Sequence, residues 1–400
     1  MSDWAGTRGL ARRALHSPAP ALEPSPKGVP TITHAPRDPG TSSEAPRPRS
    51  PSHPVELTLH IGSGKTGTSS IQQMLAVNRE ALAAAGWLYP QAPGVGRHVR
   101  LGLYLRDADD LAQTPAWHRQ GFDSPERFRK VFRRRLFTEI DEAALPRMLM
   151  SDEALYAMTR PNLRRLRTFT DRFATSVDIV VYLRRQDEHL VSRYQQVVKV
   201  GETRRLVDWA SGDMTFTYDY QARLGQWRRI IAPRRLVVRR FEPGRFKDDS
   251  LLADFLDACA IDVQPASLEL PGHRNESLGA EAVELLRLIN LHLREGQGIA
   301  QVDIDHRDLV TRMAERCPGP PLTLPEVELT AFMARWADSN AAVARDHFGE
   351  AELFGPPRRG RETVVDQRLD PARIEHLVAL LELPERWVEP LRALSERENG

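Results

Sequence analysis

The stretch Gly62-Ser63-Gly64-Lys65-Thr66-Gly67-Thr68-Ser69-Ser70 gathers three glycines, a lysine and a run of hydroxyls. Gly62, Gly64 and Gly67 let the backbone take positive φ and come close to a ligand. Thr68, Ser69 and Ser70 are N-cap residue types and predict a helix from about Ser70. Unpaired backbone N–H groups and the positive end of that helix would converge on an oxyanion, with Lys65 adding a full charge and Thr66, Thr68 and Ser69 adding hydroxyl donors. An ordinary strand-to-helix turn needs far less than this. The chemistry is that of a phosphate or sulfate site.

A second candidate anion site is the pair Arg184 and Ser192. Eight residues at 100° each return close to the starting face, so a strand-end arginine and a hydroxyl two helical turns along can reach one anion. Arg184 offers a planar bidentate fork and Ser192 a neutral donor; taken alone, Arg184 could instead pair with Asp187 or Glu188. Two side chains are candidates for a general base. Glu153 follows Ser151 and Asp152 where the apolar run from Arg147 stops, and acids at a strand's carboxyl end face the ligand crevice of an open α/β sheet. Asp152 and Glu153 could also simply cap the next helix. His98 has the better intrinsic pKa, but Glu153 ranks first because its strand-end position is better specified.

Val55, Leu57, Leu59 and Ile61 predict the buried strand that leads into the loop and stops at Gly62. Ile71 to Ala85 reads as one helix seated on the loop, and Trp87 to Pro90 as the start of a short extended segment. Phe128 to Ile140 shows an apolar stripe with its arginines on a solvated face. Arg147 to Met150, Val177 to Leu183 and Leu236 to Arg240 read as further strands, the second apolar nearly throughout as parallel strands are. Gln186 to Val200 is the helix after that strand; Leu224, Trp227 and Ile231 mark another, ended by Pro233. The stretches 281–294, 329–348 and 374–394 read as amphipathic helices. The alternation predicts an α/β fold: a three-layer α/β/α sandwich on a parallel, P-loop-type sheet, with a helical C-terminal extension. The expected division is a tail at 1–54, a domain at 55–355 with its core at 55–275 and a helical part at 276–355, and an extension at 356–400.

A Walker A loop would need a glycine five residues before Gly64, where Leu59 stands inside the strand. The loop instead resembles the 5'-phosphosulfate loop of the sulfotransferase superfamily, a P-loop relative that binds 3'-phosphoadenosine 5'-phosphosulfate. Arg184 and Ser192 resemble that superfamily's 3'-phosphate site. Tyr218-Asp219-Tyr220, a helix with Trp227, a strand ending in Phe241-Glu242, and Asn275-Glu276-Ser277-Leu278 resemble bacterial members that act on carbohydrate or lipid-linked acceptors. The resemblance covers roughly residues 55 to 355. It implies that residues 63 to 69 hold the phosphosulfate, that Lys65 offsets charge as the bond breaks, and that no metal is required. It also implies that a loop with Arg274 and Ser277 lies over the nucleotide, although the usual Arg-Lys-Gly triplet is absent here. The implied reaction moves a sulfuryl group to an acceptor hydroxyl on a carbohydrate, glycolipid or small metabolite. The competing readings are a magnesium-dependent P-loop kinase or NTPase, with Asp152 in the Walker B role, and a non-catalytic nucleotide-binding scaffold.

Residues 1 to 54 hold eleven of the thirty prolines and almost no aromatic residue, a composition that cannot offset its ordering entropy and is expected to be disordered. The formal charge of +2 provides no global attraction to nucleic acid. The two cysteines, Cys259 and Cys317, make no disulfide framework and fit a cytoplasmic protein. No run of eighteen apolar residues predicts a spanning helix. The helical C-terminal part is compatible with a lid or with the face of a homodimer.

Overall fold

In the computed structural model, residues 50–270, 277–297, 306–358 and 362–400 are described. Most of the expected tail, and Arg274 and Asn275 of the expected nucleotide loop, lie outside them. Five strands form one sheet: β1 (Val55–His60), β2 (Trp87–Leu88), β3 (Arg147–Ser151), β4 (Ala174–Leu183) and β5 (Arg235–Arg240), in the order β2-β3-β1-β4-β5. Every pairing is parallel. His60 at the end of β1 pairs across to Ser151 of β3 and Val180 of β4, so these strands finish at one edge.

Alternation along the strands divides the core in two. Leu57, Leu59, Met148, Met150, Ile179 and Val181 face one side, where they meet the helices Pro125–Ala143, Arg160–Thr170, Gln186–Val198 and Tyr220–Ile231. Leu149, Val180 and Tyr182 face the other, against Ile71, Met74 and Leu75 of the helix Thr68–Val77 and Phe255, Leu256 and Cys259 of the helix Leu251–Cys259. Parallel strands buried on both faces require this, because each face must be covered by helices. The expected three-layer α/β sandwich with a helical C-terminal region is the observed fold.

The C-terminal helices among the described residues close on the first of these faces. In the helix Ala280–Gln297, buried Arg287 is held by Glu284 and Glu398, and Asn290 donates to the carbonyls of Val198 and Glu202. Glu350 receives a two-pronged contact from Arg240 at the end of β5.

Several elements differ from their expected extent. The helix on the loop starts at Thr68 and stops at Val77, where Asn78 leaves helical geometry and a separate helix, Arg79–Ala84, follows. The reason is tertiary: the Asn78 amide bonds the backbone of Glu269 in both directions as well as the Met74 carbonyl. The stretch 329–348 is two helices, Glu326–Ala334 and Ala337–Phe348, and 374–394 is likewise two, Ile374–Leu380 and Val388–Asn399. Among the described residues no helix is long and apolar enough to cross a membrane.

Candidate functional site

The loop after β1, the end of β3 and the end of β4 share the carboxyl edge of the sheet. β1 has β3 on one side and β4 on the other, and crevices at such switch points are where open α/β sheets bind ligands. The loop bends sharply, with positive φ at Gly64 (73°), Lys65 (51°) and Gly67 (71°). Gly67 is a structural requirement, since a Cβ there would stand 2.2 Å from the Leu251 side chain. A Cβ on Gly64 would meet nothing within 4 Å, so that part of the loop faces open space.

The sequence-predicted loop residues have different jobs. The Ser63 hydroxyl donates to the Tyr182 carbonyl, so it anchors the loop and is not available as a ligand donor. The Thr68 hydroxyl donates to Glu153 Oε2. Thr66 is fully buried and its Oγ1 has no hydrogen-bond partner, while Ser69 is exposed at the helix start. A buried, unpartnered hydroxyl is unusual and fits a ligand oxygen as its missing partner.

Arg184, the first residue after β4, donates from Nη1 to the Lys65 carbonyl at 3.0 Å. Its Nε has no hydrogen bond and lies 3.6 Å from Glu188, the alternative partner the spacing allowed. The guanidinium also stands over the Phe241 ring, 5.6 Å from its centre. The two stretches expected from the sequence to hold anions, 119 residues apart, thus meet. Ser192 is half-buried two turns along the helix, and no hydrogen bond joins it to Arg184 among the described residues. Ser277 is exposed, and its neighbour Leu278 exchanges backbone hydrogen bonds with the Gln195 amide, which brings Ser277 beside the same helix.

Glu153 and Asp152 divide by burial. Asp152 has no exposed side-chain surface; its oxygens accept from Arg97 Nε and the amides of Ala154 and Gly102. That leaves no free oxygen for a Walker B role. Glu153 keeps 32% of its side chain exposed, accepting from Arg97 Nη1 through Oε1 and from Thr68 through Oε2. The carboxylate therefore touches the first residue of the loop helix.

His98 does not present a base. Its ring is buried, stacks on Tyr89 and accepts the Ser151 amide at Nδ1. Burial and the charge of Arg79 push its pKa down to about 3, so it is a neutral structural ring whose acceptor nitrogen is already used. Its intrinsic pKa made it a candidate; desolvation removes it.

Two residues that sequence reasoning passed over shape the site. His189 donates from Nε2 to the Ser63 and Gly64 carbonyls and accepts the Tyr218 hydroxyl at Nδ1, fixing its tautomer. Burial, with Arg193 and Arg184 nearby, lowers its pKa to about 3. Arg97 orients both strand-end acids. Its position beside His98 was the only signal available, and His189 carried none beyond its place one turn into the helix after Arg184. Among the described residues no cluster of histidine, cysteine and acidic side chains could hold a metal ion.

Compared with known protein families, the chain matches none. It resembles an uncharacterized protein of Archaeoglobus fulgidus at 26% identity over 207 residues, 52% of this chain and 55% of that protein. The chain thus spans about half the length of the curated relative it matches. Among solved structures it is similar to the sulfotransferase domain from the curacin biosynthetic pathway, at 14% identity and a TM-score of 0.32, over 53% of this chain and 76% of that domain.

Proposed function

We propose that the chain is a sulfotransferase that moves the sulfuryl group of 3'-phosphoadenosine 5'-phosphosulfate to an acceptor hydroxyl. The observation that carries this reading is the Arg184–Lys65 contact, which joins the glycine-rich loop to a second, planar anion fork. A ligand with anions on both the 3' and the 5' position of its ribose suits two such sites better than a linear triphosphate does. The buried Thr66 hydroxyl, without a partner, is a further fit.

When bound, the nucleotide supplies an activated sulfuryl group and a stable leaving group. The amides and hydroxyls of residues 64 to 69 would hold its 5' end, Lys65 would offset charge on the leaving oxygen, and Arg184 with Ser192 would hold the 3'-phosphate. Such transfers depend mainly on positioning and electrostatic stabilisation. Glu153 would take the proton of the acceptor hydroxyl as the new S–O bond forms, and Arg97 keeps its carboxylate aimed at the loop helix. The acceptor class we favour is a carbohydrate, glycolipid or small metabolite.

Calorimetry in EDTA tests the reading. The wild type should bind 3'-phosphoadenosine 5'-phosphate at micromolar concentration and far more tightly than 5'-AMP, ADP or ATP, and Arg184→Ala should abolish that preference. Magnesium-dependent ATP binding without affinity for the 3'-phosphorylated nucleotide would replace this reading with a kinase.

A further inference from the structure

Glu188 stands in the first turn of the helix Gln186–Val198, and among the described residues it is the one carboxylate that meets the Arg184 guanidinium. The i, i+4 spacing sets the two side chains side by side. An arginine and a carboxylate so placed ordinarily close into a charge-assisted hydrogen bond of about 2.7–2.9 Å. Here they do not: Glu188 Oε2 stops 3.6 Å from Nε, and Nε is buried without a hydrogen-bond partner. Nη1 is committed to the Lys65 carbonyl, and the planar group rests on the Phe241 ring. The edge left for a two-pronged contact with an anion is therefore Nε with Nη2, and Glu188 approaches that edge.

The carboxylate is held back by a strap from far along the chain. Glu188 Oε1 accepts the Arg358 amide at 3.0 Å, 170 residues away in sequence. The strap, residues 354–358, is pinned on both sides. Arg185 Nη1 donates to the Gly355 carbonyl at 3.0 Å, and the Arg358 side chain donates to the Pro243 carbonyl. Phe354, Gly355 and Arg358 form one wall of a cleft of about 260 Å³, and Glu188, Phe241 and Pro243 line the rest. Phe241 belongs both to this cleft and to the Arg184 stack, so strap, carboxylate and guanidinium border one space. A buried charged donor without a hydrogen bond is costly, and a ligand oxygen on Nε removes that cost.

We propose that Glu188 is a positioning residue whose charge opposes the nucleotide's 3'-phosphate, and that the Arg358 amide, by holding the carboxylate back, keeps Arg184 open to that phosphate. This rests on the sulfuryl-transfer reading. The test is calorimetry with 3'-phosphoadenosine 5'-phosphate on wild type, Glu188→Gln, Arg358→Pro and the double variant, with 5'-AMP as the probe that lacks the 3'-phosphate. Glu188→Gln keeps an acceptor for the Arg358 amide and removes the charge. It should tighten binding of the 3'-phosphorylated nucleotide by at least about threefold, the scale of one partly screened charge pair, and leave 5'-AMP within about twofold. Arg358→Pro removes the amide donor, frees the carboxylate to close on Nε, and should weaken binding by at least about threefold. In the Glu188→Gln background the same proline should change affinity by less than about twofold, because no charge is left to close on Arg184. A strap that only supports the fold would make the proline cost the same in both backgrounds, and that additivity overturns the proposal. Weaker binding in Glu188→Gln, or an equal gain for 5'-AMP, overturns it too. Absence of binding of the 3'-phosphorylated nucleotide by any of these proteins would instead sink the sulfuryl-transfer reading, and this proposal with it.

Discussion

At the scale of single residues, the candidate base is distinguished by what its oxygens touch. Glu153 is partly exposed and linked to the loop helix through Thr68, whereas His98 has its acceptor nitrogen committed to the Ser151 amide. Glu153→Gln keeps the shape and both neighbours but cannot accept a proton. It should lower turnover, read as release of 3'-phosphoadenosine 5'-phosphate with a glycoside acceptor, by about a hundredfold to ten-thousandfold. Its affinity for that nucleotide should change by less than about threefold. His98→Gln should leave the pH profile of turnover where it was; a shifted profile would restore His98 as a proton carrier. Residue type favoured His98 and strand-end position favoured Glu153; burial, which the sequence does not show, separates them.

At the scale of elements, the strand–loop–helix unit depends on two glycines for different reasons, and the difference is measurable. Gly64→Ala adds a methyl to open space, so only the left-handed backbone opposes it, at about 1–2 kcal/mol. Gly67→Ala meets the same backbone cost and a Leu251 methyl at 2.2 Å, so the helix Thr68–Val77 must move away from the helix Leu251–Cys259. Urea unfolding should show Gly67→Ala less stable than Gly64→Ala by at least about 1 kcal/mol, the usual range for overpacking. Equal losses would mean that Leu251 yields freely. These elements were legible because glycines, hydroxyls and apolar alternation are local signals. The break at Asn78 was not, because its cause is a hydrogen-bond partner, Glu269, that lies 191 residues away. The split near Arg335 escaped because an apolar period continues across it, whereas the one after Leu381 carried a local signal, Pro384, which cannot continue a helix. The Arg184–Lys65 contact was readable only as two separate anion signals; nothing local says that they meet.

At the scale of the whole molecule, the carboxyl edge of the sheet is built on three buried neutral histidines. His60 bonds Ser151 and packs on Phe255, His98 stacks on Tyr89, and His189 supports the loop. Burial lowers the pKa of each from 6.5 to about 3. The unfolded chain takes up these protons near pH 6.5 and the folded chain does not, so this contribution to stability is intact above that pH and is lost as pH falls from 6.5 toward 3. Each ring can contribute up to about 1.4 kcal/mol per pH unit to the slope, so the three together give about 4 kcal/mol per unit at the steepest. Glu202, hydrogen-bonded by Arg204, acts in a lower window, near 2, and loses its contribution only as pH falls below 4.5, whereas burial raises the Asp152 carboxyl, which works against the histidines' slope. Urea midpoints measured between pH 6.5 and 5, each variant against wild type, therefore give one ring's share, because the other groups that titrate there, Asp152, His292 and His347, are common to both. His60→Asn or His98→Gln should each lower that slope by up to about 1.4 kcal/mol per pH unit, whatever it does to stability at pH 7. An unchanged slope would mean that the ring takes up its proton in the folded state. Because His189 stays neutral in the folded chain down to about pH 3, the loop carbonyls it holds keep their donor, and affinity for 3'-phosphoadenosine 5'-phosphate should stay level between pH 6.5 and 5.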